Sequence, residues 1–401
     1  MSTSRSNSIN QMDHVYASRE KHGHSKAVQA MIDLALDYVP NAERVYKEGG
    51  EAVWIVGVAS MPLIYACGVL PVVITEVGRF GSEDAVHVTE EEFQVPVETC
   101  AMVKATIGEF YKKKDYAFKR LIYSSTVCEP FNQCFELVKD FGYEPYIMDL
   151  GFRPFNKDRE RYLALKKIYT DEYRKLALWL GKGRIDEDRL RVEIHRYNRI
   201  QKKIRSVLSL RRQHCTYMQS LPTMLMLAAN AHYYGQPEKF EDALDDIIEE
   251  MTALPPGAYD DAKVRVVWTG QRGQEFSVYE TIDDAKAAVT GWVLPNNWTR
   301  RYDETLSPFD SVIDFVIGNE AAGKTEDKCR LAERQLELTG AKGMLLYTYQ
   351  GCSFGTIDEE LERIYFHQKD IATLPLVGSY QVGAPTGQTI TRIRAFLEML
   401  A

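Results

Sequence analysis

The sequence predicts an α/β protein of two parallel-sheet domains, with a helical insertion between them and a helical segment at the N-terminus. Three observations predict it. Short continuous apolar runs, such as 53–58 (VWIVGV) and 344–348 (MLLYT), have the length and composition of strands buried on both faces. Amphipathic helical stretches separate these runs, as crossovers between parallel strands require. The same strand–helix layout occurs twice, on either side of a long charged helical region, although no residue-level repeat accompanies it.

Taken in order, residues 1–24 are rich in Ser, Asn and charge and read as a loosely attached tail, with His22 and His24 solvated in it. Residues 25–47 carry apolar side chains at helical spacing. The run 53–58 is a strand. Pro62 suits a first helical turn and Gly68 a helix end, so a short helix precedes a second strand at 72–75. Residues 80–97 read as a loop and 98–111 as a helix with Thr99 near its start. Strand 121–126 leads to Cys128 and Pro130, then helix 131–141, closed by Gly142, and strand 146–149.

The segments 158–181, 186–213, 222–233 and 238–253 are long, charged and amphipathic, and Pro255-Pro256-Gly257 closes them. The second half reads as strand 264–269, a helix end and strand within 285–293, helix 324–338, strand 344–348, helix 358–369, strand 374–377 and helix 389–399. The expected divisions are therefore a tail and helix (1–49), a first α/β domain (50–155), a helical region (156–256) and a second α/β domain (257–401).

The chain has 401 residues, 45% of them hydrophobic and 26% charged, which describes an ordinary globular protein with material for more than one core. A net charge of -8 argues against a nucleic-acid binder, which needs a basic surface. No signal-peptide pattern and no run near the ~20 apolar residues of a membrane helix is visible, so a cytoplasmic, non-membrane protein is expected. Its thiols would then stay reduced. The seven cysteines form an odd set with no CxxC, which disfavours a disulfide framework and a zinc ribbon.

Two apolar strands end in a cysteine: LIYSSTVC (121–128) and MLLYTYQGC (344–352). A third, Cys100, precedes a helical run. Ligands in open α/β sheets sit at the carboxyl ends of strands. Cys100, Cys128 and Cys352 are therefore either small buried hydrophobes, the common fate of cysteine, or three thiolates meeting around an iron–sulfur cluster. Three protein ligands on a cubane would leave one iron open. Cys67, Cys134, Cys215 and Cys329 lie within helical patterns and read as core. Gly270-Gln271-Arg272-Gly273 lacks the spacing of a phosphate loop and reads as a turn. The stretch 318–324 (GNEAAGK) has no strand before it and is no nucleotide site. The basic cluster Arg205, Arg211, Arg212 is either a solvated helix face or a contact for coenzyme A phosphates. Arg300-Arg301 has the same two readings.

With these pieces in hand, the chain resembles the 2-hydroxyacyl-CoA dehydratase D-component family, which also contains the benzoyl-CoA reductase cluster subunits. The resemblance runs from about residue 52 to the C-terminus. It rests on PLIYACGVLPVVI (62–74), the Cys100 helix, LIYSSTVCEP (121–130), VVWTG (266–270), MLLYTYQGC (344–352) and TRIRAFLEML (391–400). It implies two Rossmann-like domains with helical additions and a [4Fe–4S] cluster on Cys100, Cys128 and Cys352. It also implies a related second subunit, and an ATP-hydrolysing iron–sulfur activator that delivers single electrons at low potential. The implied activity is that of a lyase: reductive formation of a ketyl radical from a CoA thioester, which permits elimination of the 2-hydroxyl as water. The alternatives are a benzoyl-CoA reductase-type acyl-CoA reductase subunit, or a non-catalytic electron-transfer protein whose site is closed or enlarged by Cys134. The sequence departs from the family around its substrate loops. Gly57-Val58-Ala59 leaves Ser60 as the one hydroxyl available for a catalytic role. Met61-Pro62-Leu63 replaces an acidic helix start. Residues 294–297 (LPNN) and Tyr380 stand where acids are usual. Substrate identity is therefore open, and the chain is read as either the substrate subunit or its partner.

Overall fold

A computed structural model describes residues 11–57, 59–80, 83–125, 128–150, 159–181, 185–273, 275–294, 300–318, 324–379 and 385–401. The expected α/β class holds. Two four-stranded sheets, all of whose pairings are parallel, are flanked by helices. The first contains β1 (Glu51–Val56), β2 (Val69–Val73), β3 (Arg120–Ser124) and β4 (Glu144–Met148), in the order β2-β1-β3-β4. The second contains β5 (Val264–Gly270), β6 (Ala287–Val293), β7 (Gly343–Thr348) and β8 (Ala372–Val377), in the order β6-β5-β7-β8. The two orders are the same, so the duplicated layout read from the sequence is a duplicated topology. The central strands are apolar on both faces because helices cover both faces: Val53, Trp54 and Ile55 in β1 and Val266, Val267 and Trp268 in β5 are fully buried.

Several expectations are corrected. Residues 11–24 are not a loose tail. Helix Gln11–Lys21 packs on the second half of the chain: Gln11 accepts the Phe276 amide at 2.8 Å, and His14 lies 2.8 Å from Glu280. His22 is buried, its Nδ1 2.6 Å from the Ser18 carbonyl, while its Nε2 accepts the Gln219 amide at 3.2 Å. Polar composition misled because these polar groups face protein partners rather than water. Residues 80–97 hold helix Glu83–Glu92, whose acidic sequence conceals a docking face of Ala85, Val86 and Thr89. That face meets Gly108 so closely that a Cβ there would lie 1.8 Å from the Ala85 carbonyl oxygen. Arg211 is not a solvated side chain. It is 1% exposed and donates to the carbonyls of Met218, Val289 and Cys215. Finally, the helices expected to begin at 98 and 358 begin at Ala101 and Ser353, each directly after a cysteine.

Among the described residues, no helix is long and apolar enough to cross a membrane.

Candidate metal centre

The three singled-out cysteines share one structural role. Cys100 is the N-cap of helix Ala101–Lys112, Cys128 of helix Glu129–Val138 and Cys352 of helix Ser353–His367. An N-cap sits against unsatisfied amides and the positive end of the helix dipole, which favours an anionic sulfur. Cys128 and Cys352 are also topological equivalents. Each lies four residues beyond the last residue of the third strand of its sheet, Ser124 in β3 and Thr348 in β7. Cys100 has no such twin: the corresponding helix of the second half, Thr325–Thr339, has Lys324 at its N-cap.

The fold brings the Cys100 and Cys352 loops together across the two halves. The Ala101 amide donates to the Gln350 carbonyl at 3.0 Å, tying one cysteine loop to the other. Gly351, at φ +76°, lets the two backbones touch; a Cβ on it would lie 2.4 Å from the Glu98 carbonyl oxygen and 2.8 Å from the Cys100 nitrogen. Cys100 and Cys352 share a hydrogen bond, and the charge of Cys352 is felt at Cys128. Among the described residues no three His, Cys, Asp or Glu side chains are close enough to hold a single metal ion. This does not bear on a cubane, whose ligands bind different irons and stand farther apart.

The electrostatics single out one sulfur. Cys352 is pulled down to about 6, first by the hydrogen bond from Cys100 and against the cost of burial, with the Gly355 amide (3.2 Å from Sγ) and Gln271 adding to it. The other six thiols are all raised, and burial contributes to every one. Cys100 is raised chiefly because it keeps the proton it shares with Cys352. Cys128 is raised by burial, and the Phe131 amide partly offsets this. Cys134 is buried and pushed up by burial, with Cys128 as its charged neighbour.

Sequence reasoning missed the loop after β5. Gln271 donates from Nε2 to the Cys352 sulfur at 3.5 Å and accepts the Tyr349 amide at Oε1 at 2.8 Å. Arg272 forms a buried ion pair with Glu76 of the first half and donates to the Ala228 carbonyl at 3.2 Å. Glu275 accepts the Tyr347 hydroxyl at 2.5 Å and the Ser379 amide at 2.6 Å. The turn that resembles a failed phosphate loop is thus the junction of both sheets and the helical region. Its position at a strand's carboxyl end was the signal available.

Ser60, the other candidate, caps helix Met61–Ala66 at the end of β1 without a side-chain cap bond. It is buried and shares a 3.3 Å hydrogen bond with the Tyr302 hydroxyl. Val58, residues 295–297 and Tyr380 lie outside the described residues, as do 319–323 of the GNEAAGK stretch.

Fold and site together define a two-domain α/β protein with three helix-capping thiols, two of which, Cys100 and Cys352, lie on loops that touch where its halves meet. Compared with protein families, residues 58–400 match the model of the 2-hydroxyglutaryl-CoA dehydratase D-component, and the chain belongs to that family. A dehydratase-type component is what the membership establishes. No curated protein matches the chain.

Proposed function

We propose that this chain is the iron–sulfur subunit of a 2-hydroxyacyl-CoA dehydratase-type enzyme, with Cys100, Cys128 and Cys352 holding a [4Fe–4S] cluster. What supports this is that all three cysteines cap helix N-termini, with the Cys100 and Cys352 loops in contact across the halves and Cys128 feeling the charge of Cys352. The donor set fits the group: thiolates are the usual ligands of such clusters, and hydrogen bonds to the sulfurs tune their potential. When bound, the cluster supplies single-electron chemistry and one iron without a protein ligand.

The chain's own residues do the rest. Helix N-termini and the Gln271 amide hold negative charge at the sulfurs, and Gly351 closes the distance between the halves. A related second subunit, an ATP-hydrolysing activator and a CoA thioester complete the reading. The helix that starts after Cys352 exposes Phe354, Ile357, Leu361 and Ile364 at heptad-like spacing. An apolar stripe of that kind beside the site suits coverage by the second subunit.

The test is iron and sulfide content of protein purified without air. About four of each per chain is expected. Cys128→Ser should abolish it and Cys215→Ser, at a structural thiol, should leave it intact. A colourless wild-type chain that gains no iron on reconstitution removes the proposal. Assay with activator, ATP and both 2-hydroxyacyl and aromatic thioesters then separates dehydratase from reductase.

A further inference from the structure

Cys100 and Cys352 stand in direct contact across the two halves of the fold. Their thiols share a hydrogen bond. Their loops are tied by the Ala101 amide, which donates to the Gln350 carbonyl at 3.0 Å. Gly351 lies so near that a Cβ on it would stand 2.8 Å from the Cys100 nitrogen. A disulfide needs Cα atoms about 4.4–6.8 Å apart and side chains turned toward each other. The shared hydrogen bond turns the two sulfurs to one another, and the backbone contact one residue away keeps the Cα atoms close.

The remaining thiols are engaged elsewhere. Cys67 donates to the Ala177 carbonyl at 3.7 Å and Cys215 to the Asp260 carboxylate at 3.4 Å. Cys329 and Cys134 are buried in the core, and Cys128 is linked to Cys352 only through its charge.

The two sulfurs also differ in access. Cys352 is half-buried and flanked by exposed Gly351, Ser353 and Phe354, whereas Cys100 is 7% exposed. The Gly355 amide at 3.2 Å and Gln271 Nε2 at 3.5 Å hold the Cys352 sulfur at the start of its helix. A reagent from solvent therefore meets Cys352 first, with Cys100 behind it as a resolving thiol. An accessible thiol poised beside a second one is the arrangement of redox-sensing cysteines.

We propose that Cys100 and Cys352 form a reversible disulfide when the metal-free chain meets a low-molecular-weight disulfide. Cys352 gives up its proton and attacks one sulfur of glutathione disulfide. That S–S bond breaks, a mixed disulfide forms at Cys352, and one glutathione leaves as a thiol. Cys100 then gives up its proton and attacks the Cys352 sulfur, and the second glutathione leaves as a thiol. Two cysteine thiols are oxidised by two electrons, and one glutathione disulfide is reduced to two thiols. The new bond staples the first half of the chain to the second. On the function proposed above, it also occupies two of the three sulfurs assigned to the cluster, so the oxidised chain is closed to iron until it is reduced. That consequence rests on the cluster; the disulfide does not.

Incubation of the metal-free full chain with glutathione disulfide tests this, read by thiol counting in denaturant and by peptide mass spectrometry. The seven free thiols are expected to fall by two, with the Cys100 and Cys352 peptides linked and both thiols restored by dithiothreitol. Cys100→Ser protein should stop at one glutathione on Cys352. Cys128→Ser protein should link the same two peptides as wild type, which keeps this result separate from the fate of the metal centre. Linked peptides in a wild-type chain that never takes up iron uphold the disulfide and remove the cluster reading. Seven free thiols after incubation, glutathione retained on wild-type Cys352, or linkage of Cys352 to Cys128 instead overturns the proposal.

Discussion

Gln271 and Cys352 meet at the carboxyl ends of adjacent strands, with Gln271 Nε2 3.5 Å from the cysteine sulfur and Oε1 fixed by the Tyr349 amide at 2.8 Å. The amide cannot rotate without losing one bond, so it presents a donor to the sulfur. Replacing it by Leu keeps the volume and removes the donor. The pH midpoint for alkylation of Cys352, followed by peptide mass spectrometry on metal-free protein, should rise from about 6 by about one unit. In the cluster-loaded protein the reduction potential should fall. An unchanged midpoint would show that the Cys100 hydrogen bond and the helix terminus suffice.

Gly351→Ala places a methyl group against the Glu98 carbonyl and the Cys100 nitrogen at a residue with φ +76°. Positive φ alone costs a non-glycine residue about 1–3 kcal/mol. A loss of that size or larger in denaturant unfolding is expected, together with lost iron, because the cysteine loops are forced apart. Gly387→Ala, with nothing within 4 Å of its Cβ position, is the control that should change neither.

The ion pair of Glu76 with Arg272 is buried and joins the two halves. Arg272→Met leaves a carboxylate buried without its cation, a loss of about 3–5 kcal/mol. The double variant Glu76→Leu/Arg272→Met should recover much of it. A double-mutant cycle by urea unfolding reads the coupling, and strict additivity would refute it.

His22 is held neutral: burial lowers it from 6.5 to about 4, against the Ser18 carbonyl. Because the folded value lies below the unfolded one, the contribution is complete above pH 6.5 and is lost as pH falls toward 4. One pKa unit is about 1.4 kcal/mol, so the full swing is about 3 kcal/mol. Unfolding free energies at pH 7.5, 6, 5 and 4.5 should decline through that window. His22→Gln should flatten this part of the profile.

The apolar runs revealed every strand to within a few residues, because parallel strands covered on both faces leave continuous hydrophobic stretches. The positions of Cys128 and Cys352 just beyond strands were legible for a similar reason: both terminate such runs. What the sequence concealed depended on partners far along the chain. Gln11 and His22 look solvated until the Phe276 and Gln219 amides are placed beside them. Glu83–Glu92 looks like a loop until Gly108 meets its Ala85. Gln271 has no local pattern to mark it, since its role is created by Tyr349 and Cys352, both some eighty residues away.

The uneven origin of the three thiols sets how the protein responds to mechanical change. Two come from the first half and one from the second, so the Cys100–Cys352 contact depends on how the halves are held together. Rocking between them would disturb the close approach of Gly351 to Glu98 and Cys100. Proteolytic nicking or a hinge-loosening substitution in the connecting helices should therefore register as altered thiol reactivity before it registers as lost secondary structure.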